Sequence, residues 1–105
     1  MPLRDLEKAE VTCLVDNNVD ILLPNTQLAC RPSLSGNWFE RSLIAEYGFS
    51  VVLKIEINGV EYKLLFDSGL STLAAAHNAD VLNLDLSYCE GVISSHGHID
   101  HAGAR

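Results

Sequence analysis

A chain of 105 residues, 48% hydrophobic and 20% charged, has the makeup of one soluble globular domain and is too short for two substantial ones. Its 7 basic and 14 acidic residues leave a formal charge of −7 with no basic run. That balance excludes nonspecific partnership with nucleic acid or an anionic membrane, since both need a basic patch.

Residues 1–8 lack the apolar core of a secretory signal, and no segment nears the ~18 apolar residues of a membrane span, so no membrane association and a cytoplasmic setting are expected. Cys13, Cys30 and Cys89 are odd in number and form no Cys-x-x-Cys, so each reads as a small hydrophobe in a reducing compartment.

Residues 10–16 alternate as a strand, with Val11, Cys13 and Val15 on one face and Thr12 and Leu14 on the other. Asp16-Asn17-Asn18 ends it in turn-forming residues. From 19 to 45 the periodicity fails, interrupted by Pro24, Pro32 and the Ser33-Leu34-Ser35-Gly36-Asn37 run. So long a loop reads either as a lid over a site or as a disordered insertion. Trp38 and Phe39 within it are an aromatic wall for a planar ligand or a plain loop anchor, and a short helical turn fits near 39–46.

Phe49, Val51, Leu53, Ile55 and Ile57 then alternate with more polar neighbours up to Asn58-Gly59, a dipeptide suited to the positive φ of a two-residue hairpin turn. The return strand sets Val60, Tyr62, Leu64 and Phe66 on one face and Glu61, Lys63 and Leu65 on the other. Asp67-Ser68-Gly69 closes it, and Ser71 or Thr72 can cap an alanine-rich helix over 73–82. Residues 84–87 lead into a short turn, and Gly91-Val92-Ile93-Ser94 is a compact apolar strand. Strand, long loop, hairpin, helix and strand make an α/β pattern, in which ligands commonly sit at strand ends.

The last strand delivers His96, His98, Asp100 and His101, so three of the four histidines fall within six positions. Imidazole and carboxylate are the nitrogen and oxygen donors of zinc, manganese and iron sites. His96 and His98, two apart in extended chain, can lean onto one ion, and Gly97 lets the backbone bend between them. Asp100 and His101 are adjacent where a helix can begin, and so are better placed to serve a second ion. Two ions side by side can support hydrolysis. The competing readings are a surface loop with fortuitous histidines and a single-ion structural site, although a structural site sits poorly with a set lacking thiolates. His77 reads as a packed or exposed helical histidine, or as one pointing into the site.

Residues 95–103, Ser-His-Gly-His-Ile-Asp-His-Ala-Gly, resemble the signature loop of the metallo-β-lactamase fold superfamily, and Leu65-Phe66-Asp67-Ser68-Gly69 resembles its Asp-Thr/Ser-Gly strand end. Thr12-Cys13-Leu14-Val15-Asp16-Asn17, Ala45-Glu46-Tyr47-Gly48-Phe49-Ser50 and His77-Asn78-Ala79 are similar to the branch that includes the dihydropterin ribofuranosylaminobenzene-phosphate synthases.

The resemblance implies the N-terminal part of an αββα metallo-β-lactamase-like sandwich, incomplete: one partial domain over 1–105, truncated after the His-x-His-x-Asp-His loop. It implies metal ligation by His96 and His98 on one ion and by Asp100 and His101 on another, a catalytic share for Asp100, and Asp67 as a carboxylate orienting the ligand loop. Asp16-Asn17 and Glu46-Tyr47-Gly48 would line the pocket mouth; read alone, each is a turn or helix end.

The expected cofactor is zinc, up to two ions, with manganese or iron as alternatives. The expected activity is metal-dependent hydrolysis of a small molecule, phosphorylated ones included, by a metal-bound hydroxide, with the 105 residues inactive alone. The alternative is a non-catalytic metal-binding fragment that associates with a complementary C-terminal half.

Overall fold

A computed structural model describes residues 5–18, 24–30, 42–71 and 73–103. Its elements run β1 (Lys8–Val15), β2 (Ser50–Ile57), β3 (Val60–Phe66), α1 (Ala74–Val81), a 3-10 turn (Leu86–Tyr88), β4 (Gly91–Ile93) and α2 (Ile99–Ala102). The strands form one sheet in the order β1-β2-β3-β4.

The hairpin of β2 and β3 forms as its alternation and turn residues predict. Asn58 and Gly59 take φ of 52° and 77°, and the strands pair antiparallel from Ile57↔Val60 to Val51↔Phe66. β1 adds antiparallel to the free edge of β2, and β4 adds parallel to β3 through Leu64↔Gly91, Leu65↔Val92 and Phe66↔Ile93. A parallel neighbour requires a crossover, and α1 supplies it between β3 and β4.

Register assigns the two faces. Val52 and Leu65 lie side by side beneath α1, where Leu14, Val15, Ala74, Ala75 and Ala79 complete the core and Leu82, Leu84 and Leu86 pack around it. Alanine at three helix positions lets α1 approach the sheet closely. The opposite face carries Val11, Leu53, Ile55, Tyr62, Leu64 and Phe66, an apolar set outside that core on which Val11 and Tyr62 remain exposed.

The α/β class is therefore observed, as a mixed four-stranded sheet with few helices. A two-sheet αββα sandwich is not: among the described residues there is one sheet. Simple alternation also fails at the end of β1. A register shift between Cys13 and Val15 turns Val15 to the face of Leu14, so both are buried while Cys13 is exposed. The expected helical turn near 39–46 is not found in residues 42–46, which are irregular. Most of the expected 19–45 lid or insertion, with Trp38 and Phe39, lies outside the described residues, as does Thr72.

Ser71, the other capping candidate, does act at the start of α1, because its hydroxyl accepts from the amides of Leu73 and Ala74, each at 3.2 Å. Asn78 is the polar residue on the buried alanine face. Its Nδ2 donates to the carbonyls of Leu14 at 2.8 Å and Ile44 at 2.9 Å, and its Oδ1 accepts from the amide of Ile44 at 2.8 Å. One side chain thus ties α1 to the end of β1 and to the segment that leads into β2. Replacing it with alanine orphans those backbone groups, so Asn78→Ala is expected to lower stability by about 1–3 kcal/mol in urea unfolding followed by circular dichroism.

Candidate metal centre

Because β3 and β4 are parallel, their carboxyl ends lie together, and the residues that follow each strand meet. Asp67 extends the ladder by one step, donating its amide to the Ile93 carbonyl at 2.8 Å, and Ser50 Oγ donates to the Asp67 carbonyl at 2.8 Å. The chain then turns with φ of 54° at Asp67, a left-handed conformation that is uncommon outside glycine but tolerated best by Asp and Asn. This turn buries the Asp67 side chain, which is 1% exposed.

A buried carboxylate needs partners, and Asp67 has three. Oδ1 accepts from the Ser95 amide at 2.7 Å, while Oδ2 accepts from Ser95 Oγ at 2.7 Å and from His101 Nδ1 at 2.8 Å. Burial by itself pushes the carboxyl pKa up. The Ser95 amide and hydroxyl, followed by His101, outweigh it and hold the group below the usual carboxylate range.

These bonds also set the imidazoles. The Ser95 hydroxyl spends its one proton on Asp67, so its oxygen is left to accept from His96 Nδ1, 2.8 Å away. His101 donates from Nδ1 to Asp67 directly. With the Nδ1 proton so engaged, a neutral ring at either position has its lone pair on Nε2, as a metal ligand requires. His101 Nε2 lies 3.6 Å from Asp100 Oδ2, about the separation of two donors on one ion at ~2.1 Å. His96, Asp100 and His101 each present a ligand atom within 4.8 Å of the others. Slight closure would seat one ion on two nitrogens and a carboxylate oxygen, so the donor set fits a divalent metal.

The short helix α2 presents Asp100 and His101. His98 precedes it in extended backbone, with φ of −68° and ψ of 146°. Of the four expected ligands, the structure groups His96 with Asp100 and His101. The His98 ring instead stands edge-on to that of His96, with centroids 4.6 Å apart, while the His96 and His101 rings are 4.3 Å apart. His77 lies elsewhere on α1, its Nε2 2.7 Å from the Ser42 carbonyl oxygen. Asp16 Oδ1 accepts from the Asn17 amide, which is turn chemistry, and Tyr47 is exposed. The sequence assigns no separate role to Ser95, whose link between Asp67 and His96 needs the strand ends side by side; its sequence signal is its place at the head of the 95–103 motif, just before His96.

Fold and site together define an α/β chain with a buried carboxylate backing a His/Asp cluster at parallel strand ends. No family model matches the chain. It is similar to a curated protein of Methanocaldococcus jannaschii, 7,8-dihydropterin-6-methyl-4-(beta-D-ribofuranosyl)-aminobenzene-5'-phosphate synthase, at 30% identity over 59 residues. The match takes in 56% of this chain and 20% of that protein, so the chain spans about a fifth of the length of the relative. Membership of the metallo-β-lactamase superfamily, expected from the motif, is corrected by these findings: no family match supports it, and the similarity found is a partial one to a synthase. Six residues of motif fix a local donor pattern, which is less than a family requires.

Asp67 makes acid stability testable. Its pKa is lower folded than in an unfolded chain, where an ordinary aspartate titrates near ~3.9. Its contribution is therefore complete above about pH 5 and is lost as pH falls through the folded value. The urea midpoint of the metal-free chain is expected to fall with pH below ~4, and Asp67→Asn is expected to flatten that limb while lowering stability at neutral pH.

Proposed function

We propose that the chain carries the metal-binding part of an enzyme that uses a divalent ion to act on a small phosphorylated molecule, by hydrolysis or related transfer. The supporting observation is that Asp67 holds the His101 ring directly and the His96 ring through Ser95, while His96, Asp100 and His101 present ligand atoms within 4.8 Å of one another. Such ordering of both rings by one buried carboxylate is the usual backing of a metal site and has no evident use in a surface loop.

Three protein donors leave further coordination positions open, the arrangement of catalytic rather than structural zinc sites. Zinc is the ion this set suits first, and two histidines with one carboxylate also accommodate iron or manganese. When bound, a divalent ion would supply Lewis-acid polarisation of a substrate oxygen and a lowered pKa for water. The chain's own residues do the rest. Asp67 and Ser95 fix the rings, and Asp100, whose side chain is 42% exposed, is the carboxylate able to exchange a proton with a substrate. The phosphorylated small-molecule class is supported by the relative's name, which specifies a 5'-phosphate.

Calorimetric titration of the full chain with zinc tests the reading. One ion per chain is expected, with binding abolished in His96→Ala and His101→Ala and weakened about 10–100-fold in Asp67→Asn. Two ions per chain would instead favour the pairing of His96 with His98 and of Asp100 with His101. No saturable binding, or binding indifferent to His101→Ala, would sink the proposal.

A further inference from the structure

We propose that Glu46 is a positioning residue for this metal centre: its carboxylate clamps the turn at 69–71 and so fixes how α2 presents Asp100 and His101. The inference rests on the metal reading given above.

Both oxygens of Glu46 are engaged. Oε1 accepts from the amides of Leu70 at 2.9 Å and Ser71 at 3.0 Å, and Oε2 accepts from Ser71 Oγ at 2.7 Å. Burial alone would raise its pKa, but these bonds outweigh it and hold Glu46 in its charged form. The base of the clamp is anchored too, because the Glu46 amide donates to the Asp16 carbonyl at 3.2 Å, just past the end of β1.

What the clamp holds is the surface on which α2 sits. The Ser68 amide donates to the His101 carbonyl at 2.8 Å, and the Gly69 carbonyl accepts from the Gly103 amide at 2.9 Å. On the Glu46 side, Phe49 donates its amide to the Asp100 carbonyl at 3.3 Å and accepts from the Gly69 amide at 3.0 Å. Three backbone groups of the ligand-bearing segment are therefore gripped by residues next to those that Glu46 ties together.

Packing there is close. Gly48 lies between clamp and grip with φ of 134°, and a β-carbon on it would collide with the Asp100 carbonyl oxygen. Glu46 touches none of the donors, so it acts on them only through this backbone.

The duller role for Glu46 is support of Ser71 as the cap of α1, and cobalt spectroscopy on the full chain separates the two. Cobalt(II) is used as the probe because its visible absorption reports coordination geometry. Glu46→Ala is expected to change that spectrum and to weaken cobalt binding about tenfold or more, the scale seen when partners behind metal ligands are removed.

Glu46→Gln keeps an oxygen for the Leu70 and Ser71 amides and gives up only the acceptor of the Ser71 hydroxyl, so it is expected to restore the wild-type spectrum. Ser71→Ala, which removes the α1 cap but leaves the Glu46–amide bonds, is expected to lower stability without altering the spectrum. If Glu46→Ala does not fold, Glu46→Asp serves instead, because one methylene fewer prevents simultaneous reach to all three donors. A folded Glu46→Ala or Glu46→Asp chain with wild-type spectrum and affinity overturns the inference, as does a spectral change in Ser71→Ala equal to that in Glu46→Ala. A wild-type chain that binds no cobalt overturns the metal reading itself, a separate outcome.

Discussion

The buried carboxylate of Asp67 is the constraint around which this structure is arranged. A carboxylate removed from water costs several kcal/mol unless hydrogen bonds and charge offset the loss. Here three donors do so, and all three come from the loop that carries the candidate ligands. Satisfying Asp67 and shaping the metal centre are therefore one event. The positive φ that aims the side chain inward is secured by Ser50, which holds the Asp67 carbonyl, and by the amide bond to Ile93. Strain of this kind persists only where surrounding contacts over-determine it.

The sheet makes that event possible. Antiparallel neighbours would have put the end of β3 beside the start of β4, far from the histidines. The parallel pairing, enforced by a crossover through α1, places both carboxyl ends together and gives the 94–103 segment a floor to rest on. Asn78 then joins α1, β1 and the segment before β2, and that segment grips α2 from the other side. The candidate site thus draws on parts of the chain some fifty residues apart, with Phe49 and Asp67 both bonded to the segment that carries Asp100 and His101.

The same logic explains why the motif and the family separate. His96, His98, Asp100 and His101 are a dense donor pattern whose chemistry follows from residue type alone. A family is a claim about the whole chain, and the similarity observed is confined to 59 residues, 56% of this chain and 20% of the synthase that shares them. Donor chemistry survives that correction because it rests on Nε2 atoms, a carboxylate and their backing rather than on a name.

Sequence by itself determined the β2–β3 hairpin, whose Asn58-Gly59 turn and strict alternation are local properties of the backbone. It determined an alanine-rich helix, an apolar strand before the histidines and the donor types themselves. Only tertiary structure decided which donors meet. Two-residue spacing pairs His96 with His98, but α2 swings His101 back towards His96 because its carbonyl and Nδ1 are held by Ser68 and Asp67. The shift at the end of β1 that buries Leu14 and Val15 together, the three-way bridge of Asn78, the Ser95 link and the Glu46 clamp were likewise invisible in sequence. Each is a contact between residues distant along the chain, and no periodicity encodes a partner that only the fold brings near.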